Sequence, residues 1–270
     1  MSPVLGALRR RRAGSDLALD LGTARTLLAT ADGELVLDEP TVVALDGSGT
    51  PTAAGWAAWQ AAVDGPHKLA WPVRRARITD PVLCVQFLRL LLDRDGHDAG
   101  AVAVCVPSVA GPYDATVLAG VVSSATGAQV VPVDSVLAGA IGGGVDVSDS
   151  SPGLVCDVGA GIIEVGAVAD GAVVAQAAVR VGARDYLDDP RHVTPRVVHA
   201  MRSVLQRVPD TLAGDLAARP VRLVGGGALL PGLAPSLAGS WGAPVQVCPA
   251  PRRAVVAGLS CCMRAGVAAG

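Results

Sequence analysis

Two stretches of this sequence share one pattern: an apolar run that ends in an aspartate, a glycine-containing turn, and a second apolar run. The first, Asp16 to Thr30, reads DLALDLGTARTLLAT, and the second, Leu154 to Val168, reads LVCDVGAGIIEVGAV. Each predicts a β-hairpin whose first strand delivers Asp20 or Asp157 to the turn. Because glycine has no Cβ, backbone N–H groups of such a turn can approach phosphate oxygens closely.

A pair of such hairpins constrains the fold more than a single one does, since a strand followed by Asp-x-Gly also occurs in ordinary β-turns. The aspartates can hold a hydrated cation, because Mg²⁺ keeps most of its water shell in proteins. Two phosphate-binding hairpins that face each other across a cleft are the arrangement of the actin fold. We therefore predict that the two turns meet over one polyphosphate.

The predicted order of elements also repeats. The first half reads βββαβα, with a small subdomain at about residues 46–80, and the same order restarts at Gly153 after a Gly-rich and acidic link. This predicts an α/β chain of two lobes with a ligand-binding cleft between them. Together with the paired hairpins, this arrangement resembles the two-lobed actin-like (ribonuclease H-like) ATPase fold, which implies that the cleft holds a nucleotide. The predicted parts are a basic segment 1–15, a first lobe 16–148, a second lobe 149–250, and a C-terminal helix within 251–270 that returns to the first lobe.

Composition narrows the function classes. The net charge of −2 favours no polyanion, so we expect no nucleic-acid partner. The six cysteines show no C-x-x-C spacing, which indicates reduced thiols in a cytoplasmic protein rather than a metal site or a disulfide framework. No apolar run reaches the roughly 18 residues of a membrane span, and the sequence lacks a signal-peptide pattern.

The N-terminal segment permits two interpretations. Residues 2–12 carry Val4, Leu5 and Leu8 on one helical face, followed by four consecutive arginines. A basic amphipathic segment of this size binds an anionic membrane marginally as one copy and well as many copies on a polymer. The alternative is a solvated arm, and the sequence leaves both open.

Several motifs, in order, resemble one family. They are DLALDLGTART, LDEPTVVAL, AVAVCVPS, VDSVLAGAIG, LVCDVGAGIIEVGAV, VRVGARD and LVGGGALLPGL. The motifs run from Asp16 to Leu233, and the resemblance covers nearly the whole chain from Ser15 to Gly266. Their sequence and order are similar to those of the bacterial MreB family, actin-like proteins of cell shape. The resemblance implies an ATP-binding cytoskeletal protein that forms filaments with itself or with a full-length relative.

The resemblance also implies roles for individual residues. Asp20, Gly22 and Thr23 would face the terminal phosphates, and Asp157, Gly159 and Gly161 would close on them from the other lobe. Asp20 and Asp157 would hold Mg²⁺. The glycines Gly225, Gly226 and Gly227 would pack against the adenosine. Asp114, on the helix after Pro-Ser, would orient the hydrolytic water, although an acid there also suits the helix dipole. Asp134 stands where the family has an acid of the connecting segment, and it could equally serve as an N-cap of the following helix.

The sequence departs from the family pattern at identifiable places. Only 37 residues separate Asp185 from Leu223, where the family carries a small subdomain with a Glu/Lys motif for the ribose and base. Ile162 and Ile163 replace two phosphate-binding threonines, and Ala160 replaces a glycine. Arg25 stands in the first turn, where it could place a fixed positive charge beside the phosphates.

These departures leave three hypotheses. The first is an ATP-switched filament subunit or filament partner, at most a slow ATPase, placed in the cytoplasm with or without contact at the inner membrane face. The second is a degenerate actin-fold scaffold with little or no nucleotide binding. The third is a small phosphotransferase, although the sequence shows no spare acid in a recognisable substrate motif.

Overall fold

The structure is a computed structural model, and it describes residues 16–95, 99–186 and 192–266. The basic segment 2–12, on which the membrane-contact prediction rests, lies outside the described residues. Within them, no helix combines the length and the apolar character that a bilayer crossing requires.

The first lobe is built on a five-stranded sheet. Its strands are β1 (Leu17–Leu21), β2 (Arg25–Thr30), β3 (Leu35–Pro40), β9 (Ala101–Val106) and β10 (Gln129–Asp134), in the spatial order β10-β9-β1-β2-β3. Strands β1, β2 and β3 form an antiparallel meander, whereas β9 and β10 run parallel to β1 and to each other. The helices α2 (Pro81–Asp95), α3 (Pro112–Thr126) and α4 (Ser135–Gly142) complete this lobe.

A small subdomain interrupts the first lobe after β3. It contains β4 (Val43–Leu45), β5 (Pro51–Ala54), α1 (Trp56–Asp64), β6 (Lys68–Ala70), and a two-stranded hairpin of β7 (Val73–Arg74) and β8 (Arg77–Ile78). Residues 46–55 are rich in glycine, serine and proline and predict a loop, so the sequence gives little sign of β5. This strand is short, starts at a proline and consists mainly of small residues, which weakens its signal.

The second lobe repeats the first. Its strands are β11 (Gly153–Val158), β12 (Ile163–Ala169), β13 (Ala172–Val179), β14 (Val221–Val224) and β15 (Val245–Val247), in the order β13-β12-β11-β14-β15. The helices are α5 (Val193–Leu205), α6 (Asp210–Ala218), α7 (Leu233–Trp241) and α8 (Ala254–Ala265). Since β11 to β13 form a meander and β14 and β15 join it in parallel, the predicted duplication is confirmed.

The two lobes exchange one helix each. Helix α4 follows the first-lobe sheet but packs Val136 and Ala140 on second-lobe strands. Helix α8 follows the second-lobe sheet and packs on the first, where Ser260 Oγ donates to the carbonyl of Thr30 at 2.8 Å. A Cβ on Gly142 would lie 1.8 Å from the carbonyl oxygen of Ala254, so glycine permits the close approach of the two helices.

Candidate functional site

The first hairpin delivers Asp20 as the sequence predicts. Asp20 is the penultimate residue of β1, and the turn closes where Gly22 N donates to the carbonyl of Arg25 at 3.0 Å. A Cβ on Gly22 would lie 2.8 Å from that same carbonyl oxygen. A side chain there would open the turn, which explains the glycine.

The second hairpin has the same construction. Asp157 is the penultimate residue of β11, and Gly159 N donates to the carbonyl of Ile162 at 3.0 Å. A Cβ on Gly159 would lie 3.0 Å from that carbonyl oxygen. The two turns are therefore equivalent parts of the two lobes.

Both hairpins line one cavity of about 350 Å³ between the lobes, called here the cleft cavity. Most of the predicted site residues line it, namely Asp20, Gly22, Thr23, Arg25, Asp157, Gly159, Gly161, Gly225 and Gly226. Gly227 and Asp114 do not belong to this lining. A volume of this size falls within the range of natural small-molecule sites.

Asp157 is an unpaired acid inside the cleft. Its Oδ1 is buried and has no hydrogen-bond partner among the residues that the structure describes. Burial, followed by repulsion from Glu164 and Asp20, raises the pKa of Asp157 from 3.8 to about 8. A buried carboxylate in this state favours either a proton or a cation.

Asp20 is held differently. Burial raises its pKa from 3.8 to about 6, and the hydrogen bond from the Cys105 thiol opposes that rise. Cys105 Sγ lies 3.3 Å from Asp20 Oδ1 and lines the cleft cavity. Burial and the neighbouring acids raise the pKa of the Cys105 thiol well above its ordinary value, so the thiol stays protonated and can act as the donor.

Glu164 is a third acid of the cleft, and the sequence analysis missed it. Its Oε1 accepts hydrogen bonds from Ser108 N at 2.6 Å, Ser108 Oγ at 2.7 Å and Ser135 Oγ at 2.9 Å. Burial raises its pKa, although the Ser108 bonds oppose the shift. Since Ser108 belongs to the first lobe and Glu164 to the second, this carboxyl joins the lobes at the floor of the cleft.

A sequence signal for Glu164 existed. It is the one acid within the apolar strand β12, and it stands directly opposite Asp157 in the β11–β12 register. Directly opposite residues of an antiparallel pair present their side chains on the same face of the sheet. Correct pairing of the predicted hairpin would therefore have placed Glu164 beside Asp157.

Arg25 lines the cleft cavity, but its charge is already engaged. Its guanidinium forms an ion pair with Asp38 and donates from Nη2 to the Asp38 carbonyl at 2.6 Å. It also lies 5.6 Å from the ring centre of Trp56. The hypothesis of a fixed positive charge beside the phosphates loses support here, because Asp38 neutralises that charge.

The glycine triplet divides between two tasks. Gly225 has a φ of 83°, and a Cβ on it would lie 2.1 Å from Asp157 Oδ1. Gly227 packs on β11 instead, where a Cβ would lie 2.4 Å from Cγ1 of Val158. Gly225 and Gly226 thus form the cavity wall, and Gly227 supports it from behind.

Ile162 and Ile163 also differ in position. Ile162 lines the cleft cavity, whereas Ile163 is fully buried in the second-lobe core. Loss of a hydroxyl toward a ligand in this cavity therefore concerns Ile162. The sequence analysis counted two lost hydroxyls, and the second does not face the cavity.

The hairpin of β7 and β8, called here the strap, lies across the mouth of the cleft and contacts the second lobe. Its turn residues Arg75 and Ala76 both have positive φ, 48° and 56°, which costs about 1 kcal/mol or more per non-glycine residue. Ala76 N donates to Thr23 Oγ1 at 3.1 Å. Arg75 pairs with Asp185 at 2.9 Å, and Arg75 and Arg180 each donate to the other's carbonyl at 3.2 Å.

The two turns also touch each other. A Cβ on Gly161 would lie 2.6 Å from Thr23 Oγ1. The small size of Gly161 lets the second-lobe turn close onto the first. The strap and this contact both join the two lobes at the mouth of the cleft.

Asp114 lies beside the cleft cavity rather than in it. It lines an adjoining cavity of about 290 Å³, and its carboxylate pairs with Arg77 at 3.2 Å and lies 3.9 Å from Arg180. Asp134 caps α4, accepting from Val136 N at 2.8 Å and Leu137 N at 3.2 Å. The capping interpretation of Asp134 is confirmed.

The fold and the paired turns define an actin-like two-lobed protein. The model of the MreB/Mbl protein family matches residues 14–194 and 190–267. The chain therefore belongs to the MreB/Mbl family. The two matches meet at residues 190–194, within the stretch where the sequence predicts that a small subdomain is missing.

Individual relatives agree with this assignment. The chain is 26% identical to the cell shape-determining protein MreB of Escherichia coli K12 over 318 residues, covering 90% of this chain and 92% of that protein. It is 24% identical to the cell shape-determining protein Mbl of Bacillus subtilis 168, with 90% and 94% covered. The alignment with the E. coli protein is 318 positions long and this chain has 270 residues, so the alignment places gaps in this chain.

Solved structures show the same fold. The ADP-bound MreB5 of Spiroplasma citri superposes with a TM-score of 0.81 at 18% identity, covering 94% of this chain and 97% of that one. The subunit of the MamK double helical filament gives a TM-score of 0.77 at 13% identity, with 94% and 100% covered. The predicted two-lobed actin-like fold is confirmed.

Proposed function

We propose that this chain binds ATP with Mg²⁺ in the cleft cavity and that the bound nucleotide controls assembly into filaments of the MreB type. The observation that carries the proposal is the unpartnered Oδ1 of Asp157, buried in a cavity walled by two glycine turns. A buried polar atom without a partner costs free energy unless a ligand, a proton or an ion satisfies it.

The acids fit a magnesium site of the kind that phosphates complete. Mg²⁺ is usually held by one or two carboxylates, several waters and the substrate phosphates. The described residues contain no group of three or more His, Cys, Asp or Glu side chains arranged for a metal. Asp20 and Asp157 would therefore supply the protein's share of the coordination, and bound Mg²⁺ would neutralise phosphate charge there.

The surrounding residues would bind the rest of the nucleotide. The turn amides near Gly22 and Gly159 would donate to phosphate oxygens, and Gly161 would close over them. Gly225 and Gly226 would leave room for the adenosine. Arg252 also lines the cavity with an exposed side chain, and it offers a positive charge from the second lobe.

Assembly is the second half of the proposal. Two similar structures are of MreB5 bound to ADP and to AMPPNP, and another is of a MamK double helical filament. We propose that this chain likewise assembles, with itself or with a longer MreB-type relative. Weak contact with the inner membrane face through residues 2–12 would add up along such a polymer.

Two experiments test the two halves. Calorimetric titration with ATP, with and without Mg²⁺, should show saturable binding that depends on the cation. Sedimentation is compared with and without ATP, and the nucleotide should change the amount of the chain that pellets, either alone or together with a full-length relative. A chain that stays monomeric and fails to co-pellet would remove the filament half and leave nucleotide binding intact.

A scaffold without nucleotide is the second candidate. The observations that favour it are the apolar Ile162 in the cavity wall and the direct contact of Gly161 with Thr23, which leaves the turns closed on each other. Absence of any binding heat at millimolar ATP would select this candidate.

A further inference from the structure

Another cavity, of about 420 Å³, lies between β13 and α5 and is called here the basic groove. It shares no lining residue with the cleft cavity. Its polar lining comes from Gln176 on β13, from Arg196, His199, Ser203 and Arg207 on or just after α5, and from Ser108 of the first lobe.

Within the described residues, the basic groove carries positive charge without a carboxylate beside it. None of the described residues that line it is acidic. Among the described residues, neither Arg196 nor Arg207 has a carboxylate partner. Arg196 Nε donates to the hydroxyl of Tyr186 at 3.2 Å, and both arginines are exposed. Cations that share a groove without counter-charges favour an anionic ligand.

The groove also borders an open sheet edge. Strand β13 is the terminal strand of the second-lobe sheet, so one side of its backbone lacks a neighbouring strand in the described structure. The carbonyl of Gln176 accepts from Arg207 Nη1 at 2.7 Å, which shows that this carbonyl points away from β12. The side-chain Oε1 of Gln176 is buried, and it has no hydrogen-bond partner in the described part of the chain.

We infer that the basic groove binds an extended acidic segment of a partner protein, which adds to the second-lobe sheet beside β13. A peptide supplies carboxylates for Arg196 and Arg207, and it supplies N–H and C=O groups for the edge backbone of β13. Arg207 would exchange the Gln176 carbonyl for a peptide carboxylate. A fully ionised polyphosphate offers negative charge but no N–H donor.

The dimensions agree with a short segment. Arg196 and Arg207 are 11 residues apart, which corresponds to roughly 16 Å along a helix. An extended peptide covers that length in about five residues, and alternate side chains of such a peptide face the same way. Acids at every second position of a five-residue stretch would thus reach both arginines.

The test uses a fluorescein-labelled seven-residue peptide of alternating glutamate and threonine, with glutamine replacing glutamate in the matched control peptide. Anisotropy titrations at low salt compare the full chain with Arg196→Glu, Arg207→Glu and Arg202→Glu. Arg202 is exposed on α5 but does not line the groove, so it controls for general charge. Hydrogen exchange of Ala172–Val179 reports on backbone pairing, and thermal melts check that each variant is folded.

We expect the acidic peptide to bind at least tenfold more tightly than the neutral one. The Arg196→Glu and Arg207→Glu variants should each lose at least tenfold, Arg202→Glu less than twofold, and exchange in β13 should slow. The inference is wrong if Arg202→Glu loses as much as the groove variants, if the neutral peptide binds equally well, or if exchange in β13 is unchanged. Tripolyphosphate binding without peptide binding would also overturn it, since the groove would then be a simple anion site.

Discussion

Replacement of Asp157 by Asn should remove a pH-dependent loss of stability. The folded chain raises the pKa of this carboxyl from 3.8 to about 8. The folded state therefore binds the proton more tightly than the unfolded state does. The contribution of Asp157 to stability is most favourable below pH 3.8 and is lost progressively as the pH rises toward 8.

The magnitude follows from linkage. Each pH unit between the two pKa values costs about 1.4 kcal/mol for one proton, so the loss between pH 4 and pH 7 is about 4 kcal/mol. Asn has the same shape and does not titrate. In a chain of this size, that difference corresponds to roughly 8 °C or more in Tm.

The assay is thermal unfolding of the wild-type chain and the Asp157→Asn variant between pH 5 and 8, without nucleotide or Mg²⁺. We expect the wild-type Tm to fall with rising pH more steeply than the variant Tm. Asp20 and Glu164 titrate in both proteins, so the difference between the curves reports the Asp157 carboxyl together with its repulsion of these two acids. Parallel curves across this range would refute the assignment of a buried, cation-seeking carboxyl.

Three further predictions concern the cleft. Arg75→Ala should speed release of a fluorescent ATP analogue in stopped flow, because the ion pair between the strap and Asp185 is lost. The free energy of unfolding should change by less than about 1 kcal/mol. Arg74→Ala is the control, and equal release rates in the Arg75→Ala variant and the wild-type chain would contradict the role of the strap. Gly161→Ala should weaken ATP binding in calorimetry by forcing the turns apart, and an unchanged affinity would contradict the contact. Asp114→Asn should slow ATP hydrolysis, measured as the phosphate produced, by roughly 100-fold with unchanged ATP affinity. An unchanged hydrolysis rate would exclude a catalytic role for Asp114.

The hairpins were predictable because their signal is local. An apolar run, an aspartate and a glycine turn each follow from a few neighbouring residues, and the repeat of the pattern predicted the duplicated lobes. Helices α4 and α8 each pack on the sheet of the other lobe, and the sequence predicted this only for α8. The sequence placed the last helix on the first lobe, but the packing of α4 on the second sheet depends on contacts across the whole fold.

The missed features depend on register and distant contacts. Arg25 meets Asp38 because of how β2 pairs with β3, and composition does not reveal that pairing. Glu164 binds Ser108, which is 56 residues away in sequence. Helix α6 was also missed, since its nine residues between Pro209 and Arg219 read as part of a connection.

The most direct test of the cleft is calorimetric titration of ATP with Mg²⁺ at pH 7 in two buffers of different ionisation enthalpy. Asp157 is mostly protonated in the free chain at this pH, so coordination of Mg²⁺ should release about one proton and make the observed heat depend on the buffer. The Asp157→Asn variant should bind more weakly and without that dependence. Binding that is equally tight in the variant, with heats independent of the buffer, would contradict the nucleotide site described here.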